Sequence, residues 1–113
     1  MAGSLPRLEL HVLVALLRME GDAYAIAIHE DIERVSGTDA SVAGIYNALD
    51  RLEQRGLTRS SLSDPRPERG GRARRCYRLT AAGREYVRRE QARAARLWGG
   101  AVEPGPSARR TRP

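Results

Sequence analysis

A chain of 113 residues has room for one domain, and its 41% hydrophobic content supports a real but modest core. The net charge of +6 hides an imbalance, because residues 1–50 hold three Arg against eight acids and residues 51–113 hold seventeen Arg against six, so the second half expects a polyanion. Cys76 is the one cysteine and has no CxxC partner, and His11 and His29 lie far apart; this excludes an intrachain disulfide and leaves no zinc ligand set, so neither metal nor cofactor is expected.

The five aromatic residues are Tyr24, Tyr46, Tyr77, Tyr86 and Trp98, with no Phe, so the core rests on Leu, Ile, Val and Ala, which favours helices. After Pro6, Leu8 to Met19 predicts a first helix that is apolar around most of its circumference (Leu8, Leu10, Val12, Leu13, Leu16, Leu17, Met19). One small domain cannot cover every face of such a helix, and the surplus points to burial against a second subunit. Glu9 and His11 interrupt LELHVLVALL, and the run is far short of the ~20 apolar residues of a membrane span, so neither a signal peptide nor a membrane anchor is expected and the protein is placed in the cytoplasm. Gly21 and Asp22 break the pattern, with Asp22 as N-cap of a second helix, Ala23 to Ser36, in which Ile28, Ile32 and Val35 share one side and Glu30, Asp31 and Glu33 form a solvated face. Gly37 ends it, and both histidines read as ordinary helix residues.

Ser41 is the natural N-cap of a third helix, Val42 to Arg55, closed by Gly56. At about 100° per residue, Val42, Ile45, Ala48, Leu49 and Leu52 share one side, while Ala43, Asn47, Asp50, Arg51 and Gln54 share the other, flanked by Gly44 and Tyr46. Small and hydrogen-bonding side chains on an outer face are what a major-groove helix presents to base edges. An ordinary amphipathic surface helix would show the same pattern; the segment that follows shifts the balance.

LTRSSL (57–62) and RCYRL (75–79) have strand character, with Tyr77 and Leu79 facing inward and Cys76 and Arg78 outward. The connection from Ser63 to Arg74 is far longer than the ~2–5 residues of a hairpin loop, and it carries most of the arginines of RPERGGRARRCYRL (66–79). Pro65 and Pro67 stiffen its entrance, Gly70 and Gly71 permit close backbone approach, and Arg69, Arg72, Arg74 and Arg75 supply forked donors to phosphate oxygens. Thr80 caps a fourth helix with apolar positions Tyr86, Val87, Ala94, Leu97 and Trp98, stopped by Gly99-Gly100, and the polar, Pro-rich remainder is expected to be a disordered basic tail.

This order predicts a mostly α fold with a small two-stranded antiparallel β-wing: a winged helix-turn-helix domain over residues 1–80, a dimerisation helix over 81–99 and a tail over 100–113. The stretch SVAGIYNALDRLEQRGL (41–57), the wing DPRPERGGRARRCYRLTAAG (64–83) and the opening LELHVLVALL followed by DAYAIAIHEDIE together resemble the PadR family of bacterial transcriptional regulators over about the first ninety residues. The resemblance implies a homodimer whose C-terminal helix packs on the partner's first helix, bound to a near-palindromic operator in duplex DNA and usually repressing transcription. It implies recognition-helix contacts from Ser41, Tyr46, Asn47 and Arg51, with Ala43 and Gly44 beside them, and wing contacts from Arg69, Gly70, Gly71 and Arg72, extended by Arg74 and Arg75. Leu8, Val12 and Met19 of the first helix and Val87, Ala94, Leu97 and Trp98 of the last are the expected dimer interface. Two departures from the family pattern are Ala25, where Gly is common after the Tyr, and a short C-terminal part with little room for a ligand domain.

By chemistry, Asn47 and Arg51 are the best base readers, since amides suit adenine and guanidinium suits guanine. Asp50 either orients an arginine such as Arg51 or accepts from a cytosine amine; Tyr46 either donates to a phosphate or packs at the core rim; Arg59 and Arg78 either touch DNA or solvate the sheet. Trp98 either seals a subunit contact or stacks on a small aromatic effector. The competing function is a winged-helix module docking an acidic protein. Single-stranded RNA binding would want more exposed aromatics, and an enzyme would need a phosphate loop or an activated nucleophile that the sequence does not contain.

Overall fold

The structure, a computed structural model, describes residues 5–62 and 74–101. Helix α1 (Arg7–Met19) starts at Pro6, whose carbonyl accepts from Leu10 N at 3.0 Å, and ends where Glu20 turns left-handed (φ 52) into Gly21. A two-residue strand, β1 (Ala23–Tyr24), leads into α2 (Ala25–Ser36), which Gly37 stops at φ 71. Ser41 caps α3 (Val42–Gln54) by accepting from Gly44 N at 2.9 Å. Gly56, at φ 77, turns the chain into β2 (Thr58–Leu62); β3 (Arg75–Leu79) follows, and Thr80 caps α4 (Ala81–Trp98) by accepting from Gly83 N at 3.0 Å. Both predicted serine and threonine caps therefore form, as hydroxyl N-caps do when the helix's first amides lack backbone partners.

The sheet has three antiparallel strands in the order β1-β3-β2, with Ser60 opposite Tyr77 and Ala23 opposite Tyr77 on the other edge. The extra strand revises the start of the second helix. Ala23 and Tyr24 are extended because they pair with β3, so α2 begins at Ala25 without a side-chain cap, and Asp22 instead accepts from Arg78 Nε at 2.8 Å. Cys76 keeps the expected outward orientation, since its neighbour Tyr77 faces the core, but the central position of β3 leaves it buried. It faces Tyr24 on one side and Ser61 on the other, and its Sγ donates to the Ser61 carbonyl.

The core joins Val12, Leu13 and Leu16 of α1 to Ile28 and Ile32 of α2, Ile45, Leu49 and Leu52 of α3, Tyr77 and Leu79 of β3, and Val87 of α4. Asp31 is not on a solvated face: it is 4% exposed and accepts from Arg18 and from Arg34 Nη2, bracing α2 against α1. A carboxylate is tolerated in such a place only when paired. Both histidines hold the short α2–α3 link. His29 Nε2 donates to the Ala40 carbonyl at 2.6 Å, and His11 Nδ1 lies 3.2 Å from Thr38 Oγ1, so α1 and α2 together set the angle at which α3 leaves the turn.

One buried group has no partner among the described residues, the hydroxyl of Thr58, which is 2% exposed on the inner side of β2. Burying an unpaired hydroxyl costs free energy that an isosteric methyl does not. Thr58→Val is accordingly expected to raise stability by about 1 kcal/mol in a denaturant melt.

Candidate nucleic-acid interface

The burial of Ile45, Ala48, Leu49 and Leu52 fixes the rotation of α3. With that side inward, Ala43, Asn47, Asp50 and Gln54 form the outermost ridge, all four exposed. The two flanks are different. On one, Tyr46 and Glu53 lie on the side of the sheet, and the pKa of Tyr77 is held above the ordinary tyrosine value chiefly by burial, with Arg75 opposing and Tyr46, Asp50 and Glu53 adding to the rise. On the other, Gly44 and Arg51 face α1: Leu8 Cδ2 lies 3.8 Å from where a Cβ on Gly44 would sit, and Arg51 Nε donates to Glu9 Oε2 at 2.6 Å. Tyr46 is 44% exposed, so it sits at the rim between core and solvent.

The arginine-bearing strands leave the domain beside the first flank. Ser60 Oγ donates to Glu53 Oε2 at 3.1 Å and accepts from Arg75 Nη1 at 3.0 Å, a relay from the end of α3 to the base of the strand pair. Arg74 stacks its guanidinium 3.8 Å above the Tyr24 ring, closing the sheet face over Cys76. Arg59 and Arg78 are opposite one another across the strands, and Asp22 draws Arg78 aside, which relieves the like-charge pairing. The remaining predicted wing residues, Arg69, Gly70, Gly71 and Arg72, lie outside the described residues, as does the tail from residue 102.

Ser41, Ala43, Asn47 and Tyr46 are thus exposed along α3, Arg75 is tied through Ser60 to Glu53 at the C-terminal end of that helix, Arg74 lies over Tyr24, and Gly44 is half-buried in the α1 flank. The carboxylate that holds Arg51 is Glu9 and not Asp50. Glu9 is 2% exposed, and in the sequence it shows only as an interruption in an apolar run. The signal was present, since an acid on the inner face of an apolar helix requires a cation from elsewhere. Among the described residues no group of His, Cys, Asp or Glu is arranged to hold a metal, and no helix is long and apolar enough to cross a membrane.

The residues expected at a subunit contact separate into two sets. Val12 is wholly enclosed by its own chain, and Leu8, Met19 and Val87 pack on or within the core, because they share the inner phase of their helices. The outward strip of α1 is Leu10, Val14 and Leu17, which forms a groove of about 340 Å³ with Val87, Glu90, Gln91 and Ala94 of α4. Beyond Glu90 every residue of α4 is exposed, including Ala94, Leu97 at 73% and Trp98 at 58%.

The sequence profile of the Transcriptional regulator PadR-like family matches residues 12–89. A protein of 37.1 kDa in transposon TN4556 of Streptomyces fradiae is 38% identical over 92 residues, which is 81% of this chain and 25% of that protein, so the chain spans about a quarter of the curated relative it matches. The fold is similar to the crystal structure of a PadR family transcriptional regulator from Eggerthella lenta, at 26% identity and TM-score 0.65 over 83% of each chain. It is also similar to Bacillus subtilis PadR in complex with operator DNA, at 18% identity and TM-score 0.61 over 89% of this chain and 52% of that one.

Proposed function

Because the chain belongs to the PadR-like family of transcriptional regulators, we propose that it binds duplex DNA, with the Ala43–Asn47–Asp50–Gln54 ridge of α3 in the major groove and the arginines of the β2–β3 segment on flanking phosphates. The observation that carries this is the Glu53–Ser60–Arg75 relay, which roots the basic strand pair beside the exposed flank of α3 so that a single duplex can meet both. The operator complex of the similar Bacillus subtilis protein supports it at the level of fold. The protein acts as a homodimeric repressor on a near-palindromic operator. Dimerisation is supported by an α4 whose last two turns are exposed and by the apolar strip Leu10, Val14, Leu17, which its own chain covers only in part. A partner's Ala94, Leu97 and Trp98 seated along that strip would bury both, and would set two recognition helices about 34 Å apart, one duplex turn.

Binding fragments selected from random duplex DNA and titrating their affinity against salt tests this reading. If roughly eight phosphates are neutralised per dimer, log affinity falls against log salt with a slope near about −7. A flat response, or no duplex selected, overturns it. The same selection reveals whether the bound sites are near-palindromic.

A further inference from the structure

Glu9 shares the inner face of α1 with Val12, Leu13 and Leu16, yet its carboxylate belongs to α3, through the 2.6 Å bond from Arg51 Nε. The two ends of this pair are unequal: the Glu9 side chain is 3% exposed and the Arg51 side chain 56%. A surface ion pair has two mobile partners, whereas this one has an anchored acceptor and a donor that reaches out of it. Bonding at Nε also restrains the guanidinium and leaves its two terminal Nη groups, the fork that matches the O6/N7 edge of guanine, for another acceptor. The side chain is thereby ordered on folding rather than on binding, which removes an entropic cost from recognition.

We propose that Glu9 is a positioning residue for base recognition: without touching DNA, it holds Arg51 at the edge of the Ala43–Asn47–Asp50–Gln54 ridge in the orientation that reads a base pair. The proposal rests on the docking of α3 proposed above. Discrimination at the base pair read by Arg51 therefore depends on a residue of α1, the helix that also carries the half-covered apolar strip.

The experiment measures affinities of the full chain for a selected duplex and for the same duplex with each base pair changed singly, using the wild type, Arg51→Lys, Glu9→Gln and Glu9→Asp. Arg51→Lys keeps the charge and the pairing with Glu9 but lacks the fork, so the position where its discrimination collapses is the one Arg51 reads. Glu9→Gln is expected to lower discrimination about tenfold at that same position and to leave the others unchanged. Glu9→Asp restores part of it. Each value is a ratio of two affinities of one preparation, so a smaller folded fraction cancels, and affinity for a non-specific duplex should not fall because Glu9→Gln removes a negative charge. Wild-type discrimination in Glu9→Gln, or an equal loss at every position, would overturn the proposal, as would an Arg51→Lys variant that loses discrimination nowhere. Failure of the wild type to bind any duplex would instead sink the function proposed for the chain.

Discussion

Arg51→Ala is expected to cost about 3 kcal/mol of folding stability, a loss far above the ±0.5 kcal/mol usual for an exposed helix position. The variant leaves the Glu9 carboxylate with its desolvation and without its cation, since Glu9 is 2% exposed and its ion pair is with Arg51. For a domain of this size the drop in melting temperature would be roughly 15 °C. Glu9→Gln should cost much less, because the arginine left behind is already 56% exposed and can be solvated. The double variant Glu9→Gln, Arg51→Ala should regain most of the loss, because no charge is then stranded. Urea denaturation of the three proteins checks the pattern; a single-site loss under 1 kcal/mol for Arg51→Ala would mean that water reaches Glu9 once its partner is gone. This asymmetry also makes Arg51→Ala a poor probe of DNA recognition, since weakened binding and partial unfolding would arrive together.

Gly83→Ala is expected to be comparably damaging, at about 3 kcal/mol. In an ordinary helix interior this substitution stabilises, by up to about 1 kcal/mol. Here the added Cβ would lie 2.1 Å from the Leu57 carbonyl oxygen and 3.1 Å from its carbon, both backbone atoms. Neither can rotate away. The contact sits where three elements are laced together: Thr80 Oγ1 donates to the Gly56 carbonyl at 2.7 Å, Thr80 N donates to the Leu57 carbonyl at 3.2 Å, and Leu57 N donates to Leu52 O at 3.0 Å. To admit a methyl group, the first turn of α4 must withdraw from the α3–β2 junction, loosening Val87 in the core and the bond from Leu5 N to the Tyr86 hydroxyl. A lower denaturation midpoint together with faster amide exchange in residues 81–90 is the expected signature. A midpoint equal to or above that of the wild type would show that the junction relaxes at little cost.

The glycine of the Tyr-x-Leu-Thr-x-x-Gly strand exit was visible as part of a motif, while its reason, a backbone oxygen lying over it, belongs to a chain segment 26 residues earlier. The same division runs through the candidate interface. Ser41, Thr80, Gly37 and Gly56 act on amides or dihedrals of their immediate neighbours, so hydroxyl and glycine placement marked the ends of α2, α3 and α4. The apolar period of α3 set which residues point outward, since rotation of a helix follows from its own buried stripe.

What the sequence determined alone was the four helices, the β2–β3 pair, their order, the outer face of α3 and the concentration of arginine after residue 50, all consequences of local spacing and composition. Tertiary structure decided which charges are partners. Glu9 with Arg51, Asp31 with Arg18, Asp22 with Arg78 and Arg74 over Tyr24 join residues 13 to 56 positions apart. The pairing of Ala23 with Tyr77, which turned a helix start into a strand, has the same origin. Local pattern states that a side chain is charged; only the packing of distant segments supplies the low-dielectric surroundings and the opposite charge that make it a bond.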